Sequence, residues 1–124
     1  MQSITPKRAV RVAERVREEI ARALVRDLDD PRLALAVVIR VEMPDDLSVA
    51  KVMVRLATGG GDEVARKRLL AGLAAASGML RKRVGQSVGL RRAPELRFAY
   101  DEGQDASTRV EELLDEIRRE RPEG

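Results

Sequence analysis

VARKRLLAGLAAASGMLRKRVGQSVGLRR, residues 64–92, decides how this chain is built. It holds eight basic residues, Arg66, Lys67, Arg68, Arg81, Lys82, Arg83, Arg91 and Arg92, and no Asp or Glu. Leu69, Leu73, Ala76, Leu80, Val84 and Val88 recur three or four apart, the spacing of one face of an α-helix. The stripe runs through Ser77-Gly78, and a glycine inside a helix costs about 1 kcal/mol relative to alanine. The expectation is two helices meeting at a kink near Gly78, with the apolar stripe buried and the opposite faces cationic.

Charge outside this run sharpens the point. Residues 1–63 are neutral, residues 64–94 carry +8 and residues 101–124 carry −5, so the net charge of +3 conceals a strong segregation. A one-signed helical stretch suggests a polyanionic partner and favours nucleic acid. The plainer alternative is that these side chains only solvate helix faces.

Composition sets further bounds. A length of 124 residues suits one domain with a small core. The 44% hydrophobic and 36% charged content is that of a folded globular chain. Aromatic residues are 2% of the chain, which argues against base stacking as the main binding device. There is no cysteine, consistent with a reducing cytoplasm. No apolar run approaches the roughly 20 residues that span a bilayer, so no membrane partner is expected. The start, MQSITPKRAV, lacks the apolar region of a secretory signal.

The same inventory argues against catalysis. With no His and no Cys, Ser-His, Cys-His and zinc arrangements are excluded. Asp29-Asp30 and Asp45-Asp46 read as turn caps, not metal ligands. Gly59-Gly60-Gly61 lacks the Gly-Lys-Ser/Thr of a phosphate loop. The chain is expected to be no enzyme and to need no cofactor or metal.

Upstream, Thr5-Pro6 supplies an N-cap and a first helical residue. Ala9, Val12, Ala13, Val16, Ile20, Leu24 and Leu28 then form an apolar helical stripe that ends at Asp29-Asp30-Pro31. ALAVVIRVE and SVAKVMVRL read as strands joined at Pro44-Asp45-Asp46, an antiparallel hairpin. In the first, Val37, Ile39 and Val41 share one face. In the second, Ala50, Val52, Val54 and Leu56 face inward and Lys51, Met53 and Arg55 outward. The three glycines act as a joint, and Asp62 caps the basic helical run.

Downstream, Ala93-Pro94 stops that run and ELRFAY follows as a third strand, with Leu96, Phe98 and Tyr100 inward. Thr108-Arg109-Val110-Glu111 suits a capping box. It opens a last helix, about 108–120, whose Val110, Leu113, Leu114 and Ile117 form a narrow apolar edge. That edge is expected to pack on the core, the alternative being a protein partner. The order gives a single α+β domain, 1–124, with a core of about 5–101 and helices on one sheet face. Arg40, Lys51, Arg55 and Arg97 would make a second, weaker cationic surface on the open face.

Taken in series, the words of this sequence resemble the ribosome-binding factor A family. They are RVAERVREEIARAL, DPRL at Asp30–Leu33, VEMPDDLSVAKVMV, AAASGMLRKRVGQSVGLRRAPELRFAYDE and ELLDEI, covering about residues 8–117. The resemblance implies a type II KH-like fold: helix-strand-strand-helix-kink-helix-strand plus a C-terminal helix, on a three-stranded mixed sheet whose third strand runs parallel to the second. It implies a monomeric cytoplasmic assembly factor that binds the free small ribosomal subunit and helps its rRNA mature. KH domains that clamp single strands carry a GxxG loop between paired helices. Here Ala76-Ser77-Gly78 occupies that place, which favours docking onto folded rRNA over a general single-stranded RNA-binding module.

The RNA contacts expected are Arg81, Lys82, Arg83, Arg91 and Arg92, with arginine forks suited to phosphate. Gly78, lacking Cβ, would let the backbone of RNA approach beside Ser77, and the N-terminus of the following helix would offer amides. The alternatives are a packing kink at Gly78 and a solvated loop at Arg91-Arg92.

Overall fold

A computed structural model describes residues 7–59, 61–103 and 113–119. Helix α1 (Lys7–Arg26) is followed by a 3₁₀ turn at Pro31–Leu33, strands β1 (Ala36–Glu42) and β2 (Val49–Leu56), helix α2 (Glu63–Val88) and strand β3 (Glu95–Tyr100). Residues 113–119 are helical. The expected cap at Thr5-Pro6 and the capping box at 108–111 lie outside the described residues.

The sheet order is β1-β2-β3, β1 antiparallel to β2 and β3 parallel to it. This is the mixed α+β, KH-like arrangement. Both helices lie on one face: α1 and α2 contact each other as well as the sheet. Val16, Ile20, Val52, Val54, Leu73, Leu80 and Val84 are fully buried between them. At about 25 cal/mol per Å² of apolar surface removed from water, this layer supplies the main favourable term for folding.

The helical stripe that suggested two helices belongs to one. Helix α2 runs unbroken from Glu63 to Val88, straight through Gly78, so the kink that would divide it is absent as a break in the helix. The physical reason is local. One glycine penalty of about 1 kcal/mol stands against strong helix formers on both sides and the burial of Leu73 and Leu80 across the site. Asp62 caps the start, accepting from the Ala65 amide at 2.7 Å. Gly89, at φ 74°, ends the helix in the left-handed conformation natural to glycine.

Two details differ from strict alternation. Helix α1 stops at Arg26, before Asp29-Asp30, and Asp30 caps the 3₁₀ turn by accepting from the Arg32 amide at 2.9 Å. In β1, Val38 pairs with Val54 but Arg40 pairs with Met53, leaving Ile39 as the extra residue of a β-bulge. The inward set therefore runs Ala36 and Val38, then Val41 and Met43: Val41 packs on the core, but Val37 and Ile39, which uniform alternation places on its face, do not. In β2 the inward residues are those expected, yet Met53 on the outer face is also buried, between Arg40 and Ala99 in the register. On β3, Tyr100 is buried and its hydroxyl accepts from the Leu56 amide at 3.2 Å, across the edge of the core.

Candidate nucleic-acid interface

The apolar stripe of α2 turns inward, so its remaining surface faces solvent. Along that outward surface lie Lys67, Arg68, Ala71, Ala74, Ala75, Gly78, Met79 and Lys82. The middle is almost free of large side chains, with cations at both ends. A Cβ built on Gly78 meets nothing within 4 Å, which removes the packing reading of this glycine. The close packing happens elsewhere: at Gly72 a Cβ would come within 3.1 Å of Arg32 and Leu33, and at Gly85 within 3.1 Å of Ala93.

Because α2 is continuous, the amides following Ser77 belong to its hydrogen-bond ladder and are not a helix N-terminus. The expected amide contribution to phosphate binding at that point is therefore withdrawn. Ser77 itself is half-buried and Gly78 exposed.

The cations separate into two groups. Arg81 donates from Nη2 to the Ala93 carbonyl at 3.1 Å, which ties the loop carrying Arg91 and Arg92 to the last turns of the helix. Pro94 is fully buried and fixes the other end of that loop. Lys82, Arg91 and Arg92 are exposed, and among the described residues no carboxylate lies in ion-pair range of them. Arg8, at the start of α1, joins them: a cleft of about 610 Å³ is lined by Arg8, Arg81, Arg91 and Arg92 together with Asp45, Asp46 and Glu95. Those acids are partly engaged. Asp46 accepts from the Ser48 amide and hydroxyl at 3.0 and 2.8 Å, and Glu95 accepts from Arg97 at 2.7 Å. Hydrogen bonds from Ser48 and Arg97 hold these two carboxyls below their ordinary pKa.

Arg83 belongs to the second group. Its Nη1 lies 2.6 Å from Asp27 Oδ2 and 3.9 Å from Glu19 Oε2, so it joins α2 to α1. Glu19 is buried and also accepts from Ser87 Oγ at 2.7 Å and Arg22 at 3.0 Å. Its neighbours Arg81 and Lys82 keep their place on the outward surface; Arg83 is committed to the protein's own carboxylates. Arg66 is similarly engaged, 3.2 Å from Glu102 and stacked over the Tyr100 ring at 4.6 Å.

The open sheet face carries Arg40, Lys51, Arg55 and Arg97, as the strand patterns predict, but much of its charge is answered locally. Arg40 pairs with Glu42 at 3.0 Å and Asp101 at 3.2 Å, and Arg97 with Glu95. Arg55 donates to the carbonyl of Leu56 at 3.1 Å, and Lys51 alone stands exposed without a carboxylate partner among the described residues. Sequence reasoning missed Arg8. Only the fold brings it to Arg91 and Arg92, and spacing along the chain carries no signal of that. Lys67 and Arg68 share the outward line of α2 with Gly78.

Comparisons with known proteins agree with this architecture. The sequence model of the family described as ribosome-binding factor A matches residues 8–114. Ribosome-binding factor A of Sorangium cellulosum is 58% identical over 112 residues, 90% of each chain. That of Pelobacter propionicus is 40% identical over 114 residues, 92% of this chain and 91% of the relative. The crystal structure of ribosome-binding factor A from Thermus thermophilus superposes with a TM-score of 0.64 at 27% identity, covering 74% of this chain and 93% of that one. A Thermus thermophilus ribosome-binding factor A homology model, fitted into the cryo-EM map of a 30S–RbfA complex, superposes with a TM-score of 0.60 at 28% identity, covering 76% and 96%. Sequence and fold coincide over most of the chain, and the protein belongs to the ribosome-binding factor A family.

Proposed function

We propose that this chain binds the free small ribosomal subunit and assists the maturation of its rRNA without catalysing a reaction. It acts as a cytoplasmic monomer. Folded rRNA docks against the surface formed by Ser77, Gly78, Arg81, Lys82, Arg91 and Arg92, extended by Arg8; Arg83 holds the helix that carries it. The observation that supports this most is a cluster of cations on rigid elements, most of them without carboxylate partners, in a relative of a factor fitted into a small-subunit complex. Arg forks and a Lys point charge neutralise phosphates, while the exposed Gly78 leaves room for a sugar–phosphate backbone. Among the described residues no group of three acidic side chains could hold a metal ion, and no helix is long and apolar enough to cross a membrane.

A general single-stranded RNA-binding KH-like module is the alternative. The continuous helix disfavours it, since no glycine loop with free amides separates two helices to clamp extended nucleotides. The test is sedimentation of the pure protein with free small subunits and with complete ribosomes. The expected outcome is co-sedimentation with the former only, and weaker binding to short unstructured RNA. Neutralising about six phosphates of non-helical RNA gives a slope near −4 in log affinity against log salt. A flat salt dependence, or equal binding to both particles, would refute the proposal.

A further inference from the structure

The C-terminal segment leaves a surface uncovered. Leu113, Leu114 and Ile117 are 53%, 45% and 48% exposed, and all seven described residues of this helical stretch face solvent. The expected packing of this edge on the domain's own core is therefore not seen. An amphipathic edge left half in water is an unfilled contact.

A second exposed surface complements it. The outward face of α2 presents Ala71, Ala74, Ala75 and Met79 between Lys67-Arg68 at one end and Arg81-Lys82 at the other. Residues 64–94 carry +8, while residues 103–124, beyond Asp101 and Glu102 that already pair with Arg40 and Arg66, carry −3, so the two partners have opposite charge. The tether begins in a suitable place. Glu102 is held by Arg66 near the start of α2, at 3.2 Å. Extended chain covers at most about 3.5 Å per residue, so residues 103–113 could reach nearly 40 Å. Arg66 to Met79 along the helix is only about 20 Å.

From these observations we infer that the acidic C-terminal segment docks reversibly on the cationic outward face of α2, its Leu113, Leu114 and Ile117 against the alanine surface. The segment is an internal competitor for polyanions. A tethered partner acts at an effective concentration up to millimolar, enough to exclude weakly bound, nonspecific RNA while yielding to a large, multiply contacting one. This inference rests on the proposed function only for the identity of what is displaced; the docking itself stands apart from it.

The chain has no native cysteine, so introduced pairs report proximity without interference. Full-length protein carrying Ala75→Cys and Asp115→Cys is oxidised under mild conditions, beside a control carrying Lys51→Cys and Asp115→Cys, with Lys51 on the far sheet face. The docked segment predicts disulfide formation about tenfold faster in the first pair, slowed by added polyuridylate. A separate full-length variant, Leu113→Gln with Leu114→Gln and Ile117→Gln, should bind polyuridylate roughly fivefold more tightly than the parent, a coupling of ordinary allosteric size. Equal disulfide rates in both pairs, or unchanged RNA affinity in the triple variant, would overturn the inference. Fast cross-linking that polyuridylate and small subunits both leave unaffected would instead sink the RNA-binding role of this face and leave the docking intact.

Discussion

At the scale of single residues, the structure separates side chains that face outward from those that hold the scaffold. Gly78 is exposed in mid-helix with nothing near its missing Cβ. Gly78→Ala should therefore raise stability by about 0.5–1 kcal/mol, through helix propensity alone. If an RNA backbone approaches there, the same methyl should weaken subunit binding. Thermal melting and sedimentation read the two effects independently, and stability that rises with binding unchanged would show that the glycine is not at the interface. Arg83 predicts the reverse. Arg83→Glu places a third carboxylate beside Asp27 and the buried Glu19 and should cost about 2 kcal/mol, seen as a lowered melting temperature. Loss of binding in that variant would report unfolding as much as contact, so Arg83 is a poor probe of the surface.

At the scale of elements, sequence reading worked where the pattern was periodic and local. The strands at 36–42, 49–56 and 95–100 and the helix cap at Asp62 were legible in alternation and capping chemistry. The bulge at Ile39 was not, because an extra strand residue is fixed by pairing with β2 and leaves no mark in composition. The division of α2 at Gly78 was misread because glycine was weighed alone, while burial of Leu73 and Leu80 on either side outweighs its cost. The cations of residues 81–92 were legible as a group, but which of them face solvent depends on α1 and could not be seen without it.

Element ends also set the acid limit. Asp30, capping the 3₁₀ turn, is held below its ordinary pKa first by the Arg32 side chain and then by the Arg32 amide. Glu14 is lowered by Arg17 and Glu95 by Arg97 in the same way. A carboxyl with a depressed folded-state pKa contributes stability that is complete above the unfolded value and is lost as pH falls through the folded one. Stability should therefore be level from neutral pH to about 5 and decline progressively below it, where unfolded carboxylates begin to take up protons. A pH series of denaturation midpoints checks this, and a decline beginning near pH 6 would contradict it. These pairs are exposed, so added salt should blunt the effect.

At the scale of the whole molecule, a modest net charge of +3 is arranged as three territories: a neutral first half, a cationic α2 with its following loop, and an acidic C-terminal segment. Antiparallel β1 and parallel β3 on either side of β2 stack both helices on one face, so α2 shows its charge on the side away from the sheet. The opposite sheet face carries cations too, yet Glu42, Glu95 and Asp101 answer most of them. Among the described residues, the helix side is therefore better suited to a long polyanion than the sheet side. The most direct measurement is sedimentation with free small subunits of the variant Lys82→Glu, Arg91→Glu, Arg92→Glu, beside its melting temperature. The account predicts binding lost with the melting temperature within about 2 °C of the parent, as expected for exposed side chains without internal partners. Binding retained by this folded variant would contradict it.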